Sequence, residues 1–323
     1  MIIGSIKEQN PDETRVSLTP EVIKKLVSQG HSIWVERDLG TRAGWDNKEY
    51  TAAGANIVNS PLQIIQKSQT IIQIAPPTPE IIEKTTPHQL LITYFEHQDN
   101  TTLKSQTIHL ERVPRTSVAQ SIDILSSQNT VRGYMAAIYT LYHATRIAPQ
   151  LMTAATSIKA ATALVIGASI TGLQAASVLK KIGCHVTMLD INKEAEQLAK
   201  SVGATFVTAD TSQDIINIIK NKDFIIGAAS TSNKSAPKIL THQQLENIIT
   251  HPIIIDTTDA NIEGQQSSPL YSFYRNLHFE RFAPKTASTL WANNILNLLN
   301  LIYNSKKFDF SLDYIKTIYE KPY

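Results

Sequence analysis

The stretch Ala163–Asp190 constrains this chain more than any other. An apolar run, Ala163–Ile166, ends at Gly167. Gly172 then opens a helix-patterned segment, Leu173–Ile182, and Gly183 stops it. A second apolar strand, His185–Leu189, ends on Asp190. A strand–turn–helix–strand unit with an acid roughly 20 positions past the glycines is the arrangement that binds dinucleotides. Gly167 permits the tight turn, and Gly172 lets helix and strand pack closely. The N–H groups of the helix start, with Ile170 and Thr171 in the turn, offer a positive end to a pyrophosphate. Asp190, followed by Ile191, is placed to accept from the adenosine ribose. Its charge disfavours a 2′-phosphate, so NAD(H) is expected over NADP(H).

The glycine motif is imperfect: it reads Gly-Ala-Ser-Ile-Thr-Gly, with Ser169 at the position where the backbone normally approaches the pyrophosphate. A serine there either crowds the phosphate or donates a hydrogen bond to it.

The rest of the chain is that of an ordinary globular protein. Its 323 residues suffice for one or two domains, with 42% hydrophobic and 18% charged residues. A net charge of +2 gives no argument for nucleic acid. The single cysteine, Cys184, excludes an intrachain disulfide and fits a reducing compartment; at the entry to a predicted strand it reads as a packed thiol. No secretory signal is expected, because Met1–Ile6 runs straight into a strand pattern. No apolar stretch reaches the roughly 18 residues of a membrane span. A cytoplasmic chain is expected.

In chain order, strands are predicted at 2–6, 32–35, 70–74, 90–94 and 107–110, with helices at 21–29, after the Asp46 cap to Ala53, and at 63–67. Thr19-Pro20 supplies a cap and a proline at the first helical position. A segment without proline from Ser117 to about Ala148, broken only by Gly133, is long enough to bridge two domains. Residues 149–161 read as a small-residue crossover. Beyond the dinucleotide unit, strands are expected at 205–207, 224–227 and 253–256. A helix over 286–304 puts Leu290, Ile295, Leu298, Leu299 and Ile302 on one apolar side, and an amphipathic segment covers 312–319. Alternating strands and helices imply α/β architecture with mostly parallel sheets.

Arg115, Gln120 and Asp123 stand at the mouth of the long helix; by spacing alone they form a solvated cap with one polar pair. The wording of the chain says more. Thr14–Pro20 (TRVSLTP), Val113–Gln128 (VPRTSVAQSIDILSSQ), Pro149–Thr156 (PQLMTAAT), Leu164–Ala175 (LVIGASITGLQA) and Thr286–Leu299 (TASTLWANNILNLL) closely resemble the alanine dehydrogenase/pyridine nucleotide transhydrogenase family. The likeness is nearest to domain I of the proton-translocating NAD(P) transhydrogenase alpha subunit and covers nearly the whole chain. It implies two Rossmann-like domains joined by long interdomain helices. One is built from both chain ends (1–116 plus 286–323) and the other, NAD-binding, lies between them (117–285). It also implies that Arg115, Gln120 and Asp123 orient the nicotinamide, with Ser126 nearby, and that Asp190 is the ribose-binding acid. The implied assembly is a homodimer on the cytosolic face of a membrane-embedded partner whose NADP-binding domain holds NADP(H).

Chemistry separates the family's members. An amino-acid dehydrogenase needs a cation for the carboxylate and a general acid/base. In alanine dehydrogenases, the resemblance indicates, a Lys precedes a Glu-Pro pair and a His lies in a Tyr-Leu-His stretch. Here Ala75 replaces the Lys, and His97 is offset by one residue in Tyr94-Phe95-Glu96-His97. Arg15 is kept in both branches. Hydride transfer between two nicotinamides needs only their proximity and orientation, which fits a site without an acid/base pair. Two alternatives remain open at this stage. One is a stand-alone alanine-type dehydrogenase or imine reductase with Arg15 and His97 at the substrate. The other is a diverged, non-catalytic nucleotide-binding paralogue, suggested by Ser169, by Thr156 and Arg132 at unusual positions, and by an altered loop at 230–237.

Overall fold

The computed structural model describes residues 1–95, 103–209, 211–230, 236–266, 268–275, 278–304 and 307–322. The chain folds as two compact units. Met1–Gln128 with Arg281–Tyr323 form the first, and Asn129–Glu280 the second.

Unit 1 starts with β1 (Ile2–Ser5), α1 (Pro20–Ser28), β2 (Ser32–Glu36), α2 (Asn47–Ala52), β3 (Asn56–Val58), α3 (Pro61–Lys67), β4 (Thr70–Ile72), α4 (Pro79–Ile82), β5 (Leu90–Thr93) and β6 (Gln106–His109). Helix α1 begins where the sequence says it must. Thr19 accepts from the Val22 N–H and Pro20 follows, while Val22, Ile23 and Leu26 turn into the core. Asp46 and Glu49 close a capping box on α2.

Helix α5 (Ile124–His143) carries the chain out of unit 1. It starts seven residues later than the proline-free segment suggested, because Gln120–Ile122 form a separate 3-10 turn and Asp123 caps the α-helix. It stops at His143, five residues short of Ala148.

Unit 2 follows with β7 (Leu151–Met152), β8 (Ser157–Ile158), β9 (Thr162–Ile166), α6 (Ile170–Ile182), β10 (His185–Leu189), α7 (Ala195–Ser201), β11 (Thr205–Val207), α8 (Ser212–Ile219), β12 (Phe224–Gly227), α9 (His242–Leu245), β13 (Ile253–Asp256) and β14 (Ser272–Tyr274). The expected crossover at 149–161 holds the small antiparallel hairpin β7–β8, whose residues are all exposed. The main sheet runs β11-β10-β9-β12-β13-β14, every pair parallel. Its strands are apolar runs because helices cover both faces. Cys184 is buried, and burial pushes its thiol up to about 11, so it is an inert packed group.

The chain returns to unit 1 with α10 (Pro284–Ile302), β15 (Tyr303–Asn304), β16 (Lys307–Phe308), α11 (Asp313–Lys316) and β17 (Tyr319–Glu320). Helix α10 buries Trp291, Ile295, Leu298, Leu299 and Ile302, while Leu290 is half-buried. The segment expected to be helical through Tyr319 is a single turn followed by a strand. Strand β17 pairs antiparallel with β6 and ends a sheet of order β17-β6-β5-β4-β1-β2-β3, otherwise parallel. Both units are doubly wound, with the strand order reversing between β1 and β4 in the first and between β9 and β12 in the second. The crevice at the carboxyl ends of such a pair is where α/β sheets bind ligands.

Candidate functional site

In unit 2 that crevice holds the glycine turn. Gly167 leaves β9 with φ 94°, and a Cβ there would stand 2.4 Å from the Ala229 Cα. Only glycine fits both the backbone angle and the space. At Gly172 a Cβ would lie 2.0 Å from the Gly167 carbonyl oxygen, so α6 sits hard against the turn. Ser169 is the N-cap of α6. Its Oγ accepts from the Gly172 N–H (3.2 Å) and donates to the Ala228 carbonyl (2.7 Å). The hydroxyl hydrogen is therefore committed to β12's end. The N–H groups of Ile170 and Thr171 have no acceptor among the described residues. That leaves a helix start able to receive an anion.

Asp190, half-buried at the end of β10, closes the other side of the turn. Its Oδ2 accepts from the Ala168 N–H (2.7 Å) and its Oδ1 from the Asn192 N–H (2.9 Å). Each carboxylate oxygen keeps a further lone pair for a hydroxyl. Ile191 beside it is 93% exposed.

Three residues behind this turn escaped sequence reasoning. Asn261, fully buried, accepts from the Ala229 N–H (2.7 Å) and donates to the carbonyls of Ala229 (3.0 Å) and Pro237 (2.7 Å). It fixes the backbone that packs on Gly167. Gly133, seen in the sequence only as a break, lets α5 meet the first turn of α6: a Cβ would stand 2.2 Å from the Thr171 carbonyl oxygen. Glu280, 2% exposed, receives Arg132 through two hydrogen bonds of 2.8 and 2.9 Å, which accounts for an arginine at that position. Thr156 lies in the exposed hairpin turn, where its carbonyl accepts from Thr153.

In unit 1 the polar trio is spread over two environments. Asp123 is buried; its Oδ1 accepts from the Ser126 N–H (3.0 Å) and its Oδ2 from the Ser126 hydroxyl (2.5 Å). Arg115 and Gln120 are exposed, and neither side chain has a hydrogen-bond partner among the described residues. Asp123 and Ser126 are thus brought together, while Arg115 and Gln120 stand open beside them in sequence.

The crevice between β1 and β4 is occupied by the protein's own charges. Arg15 grips Glu13 through Nε (2.8 Å) and Nη2 (2.7 Å), and its Nη1 donates to the Gln128 Oε1 (2.9 Å). Its guanidinium also lies 5.6 Å from the Trp291 ring centroid. Burial raises the Glu13 carboxyl, but the hydrogen bonds and charge of Arg15, with Arg281, outweigh it and hold the group below the usual carboxylate range. Glu8 is buried beside them and accepts from the Ile74 (2.7 Å) and Ala75 (3.2 Å) N–H groups. Burial pushes its carboxyl up to about 8, more than the backbone hydrogen bonds pull it down. The loop in which Ala75 replaces a substrate-anchoring lysine is thus pinned by a carboxyl group. His97 lies outside the described residues, as do residues 231–235 of the altered loop.

Comparison with known proteins agrees along the whole length. The family description "Alanine dehydrogenase/PNT, N-terminal domain" matches residues 4–132, and "Alanine dehydrogenase/PNT, C-terminal domain" matches residues 136–317. The first portion of the split NAD(P) transhydrogenase alpha subunit of Rickettsia prowazekii is 30% identical over 96% of this chain and 91% of its own length. An alanine dehydrogenase of Mycolicibacterium smegmatis is 24% identical over 79% of this chain and 72% of its own. A solved transhydrogenase from Sinorhizobium meliloti superposes with a TM-score of 0.87 at 27% identity, covering 93% of this chain and 94% of that one. The two doubly wound sheets, the glycine turn and these matches lead to one assignment: the chain belongs to the alanine dehydrogenase/PNT family.

Proposed function

We propose that this chain is the NAD(H)-binding subunit of an NAD(P) transhydrogenase, exchanging hydride with NADP(H) held on a separate, membrane-embedded subunit. The observation that carries the reading is the fate of Arg15. In a stand-alone amino-acid dehydrogenase that cation must meet a substrate carboxylate; here Glu13 and Gln128 occupy it. With Ala75 in place of a lysine, unit 1 offers no second cation at that loop. Hydride exchange between two nicotinamides needs no carboxylate anchor and no proton donor.

The residues fit a dinucleotide. Glycines 167 and 172 clear space at the turn, Ile170 and Thr171 offer backbone N–H donors to the pyrophosphate, and Asp190 accepts from the ribose and repels a 2′-phosphate. Because Ser169 turns its hydroxyl hydrogen to Ala228, it does not obstruct the turn, which argues against a non-binding paralogue. Arg115 and Gln120 hold and orient the carboxamide end, and Asp123 stiffens the start of α5 beside them. Bound NADH supplies the hydride. A homodimer is supported by the exposed hairpin β7–β8, with Met152 76% and neighbouring Tyr142 82% exposed. No helix among the described residues is long and apolar enough to cross a membrane, so a membrane-embedded partner would hold the chain peripherally on the cytoplasmic face.

The test is reconstitution. NADH should bind the pure chain, read by coenzyme fluorescence, while turnover should require an NADP-binding partner subunit. Substrate-dependent NADH oxidation by the chain alone with an amino or keto acid would overturn the proposal.

A further inference from the structure

At the amino ends of β1, β4 and β5, on the opposite edge of the sheet from Glu8 and Arg15, unit 1 carries a hollow of about 680 Å³. Its walls come from three separate stretches: the end of α3, the segment from Lys84 to Gln89, and the hairpin β15–β16. Three ammonium groups, Lys67, Lys84 and Lys307, line it with His88, and no Asp or Glu does. Among the described residues none of the three lysines pairs with a carboxylate. Tyr303 and Phe308 supply an aromatic side.

The floor is braced. Gln89, 8% exposed, donates to the carbonyls of Ile65 (2.6 Å) and Ser68 (2.8 Å) and accepts from the Thr86 N–H (2.8 Å). The lysines therefore stand on a fixed frame. Like charges gathered in a concavity raise the local potential and repel one another until an anion joins them. The size suits a small molecule rather than a flat macromolecular contact.

We propose that this hollow is a second binding site, separate from the dinucleotide turn, for a phosphate-bearing anion. The phosphate belongs either to a small soluble molecule or to a lipid headgroup; the recognition chemistry is the same.

Lys67 provides the readout. Its ammonium lies 3.9 Å from the centroid of the Trp34 ring. An anion in the hollow competes for that ammonium and changes Trp34 emission. The full chain is titrated with inorganic pyrophosphate at low ionic strength, followed by tryptophan fluorescence and by calorimetry. The expected result is saturable binding that weakens by about tenfold or more in Lys84→Glu/Lys307→Glu, and an emission change that disappears in Trp34→Phe while the heat remains. Both lysines are exposed, and circular dichroism verifies that the variant folds. A parallel arm measures sedimentation with phosphatidylglycerol or phosphatidylcholine vesicles. Pyrophosphate binding assigns a soluble ligand. Phosphatidylglycerol binding lost in the double variant, without pyrophosphate binding, assigns a headgroup. Binding that survives unchanged in the double variant, or none in either arm, overturns the proposal.

Discussion

Glu8 makes a quantitative claim that can be refuted. Its carboxyl is buried and pushed from 4.5 up to about 8. In the unfolded chain it releases its proton near 4.5; in the folded chain it keeps it to about 8. Between those values folding takes up a proton, so stability falls as pH rises, by at most about 1.36 kcal/mol per pH unit. The accumulated penalty is about 3 kcal/mol at pH 7 and on the order of 5 kcal/mol once the folded group ionises. It is absent below the unfolded value, where both states are protonated. Glu8→Gln removes the titration but has one acceptor oxygen for the two N–H groups of Ile74 and Ala75. That loss costs about 1–3 kcal/mol at every pH. The variant is therefore the less stable protein near pH 5 and the more stable one by pH 8, the curves crossing between about pH 5 and 7. All three tryptophans, Trp34, Trp45 and Trp291, lie in unit 1. Urea unfolding followed by tryptophan emission therefore reads the unit that holds Glu8. A difference between variant and wild type that stays flat from pH 5 to 8 refutes the reasoning.

Other substitutions address the two crevices. Arg15→Ala leaves the buried Glu13 with Arg281 as its remaining charge partner and should cost about 3 kcal/mol in the same urea assay; a change under about 0.5 kcal/mol would mean the Arg15–Glu13 grip is not formed. Ser169→Gly removes an N-cap but keeps the backbone, so stability should fall by only a few tenths of a kcal/mol, with NADH affinity kept within a factor of about three. A loss of tenfold in that titration would place the hydroxyl on the coenzyme. Asp190→Ala should weaken NADH by about tenfold while leaving NADPH nearly unchanged; equal losses for the two would remove Asp190 as the discriminator.

The elements legible in the sequence were those whose signals are local. An apolar run ended by a glycine announced β9, β10 and β12, and Thr19-Pro20 announced α1, because caps and strand ends depend on neighbours a few residues away. The two-residue strands β7, β8, β15, β16 and β17 left no periodic trace. The start of α5 was misplaced because Asp123 acts on Ser126, and Val118, 69% exposed, looked like part of the helix's apolar pattern. Arg15 was visible as a candidate cation, but its engagement was not, since Gln128 lies 113 residues away. Asn261 reaches Ala229 across 32 positions in the same way. Long-range partners of that kind carry no spacing signature.

The return of α10 and β17 to the sheet begun by β1 orders events during synthesis. Every residue of unit 2 has been translated before Arg281 appears, whereas unit 1 lacks the helix bearing Trp291 and its last strand until the final stretch is made. A ribosome-bound chain can thus complete the nucleotide-turn half while the other half waits with an open sheet edge and uncovered apolar strands. That waiting half is the one exposed to chaperones and to misassociation.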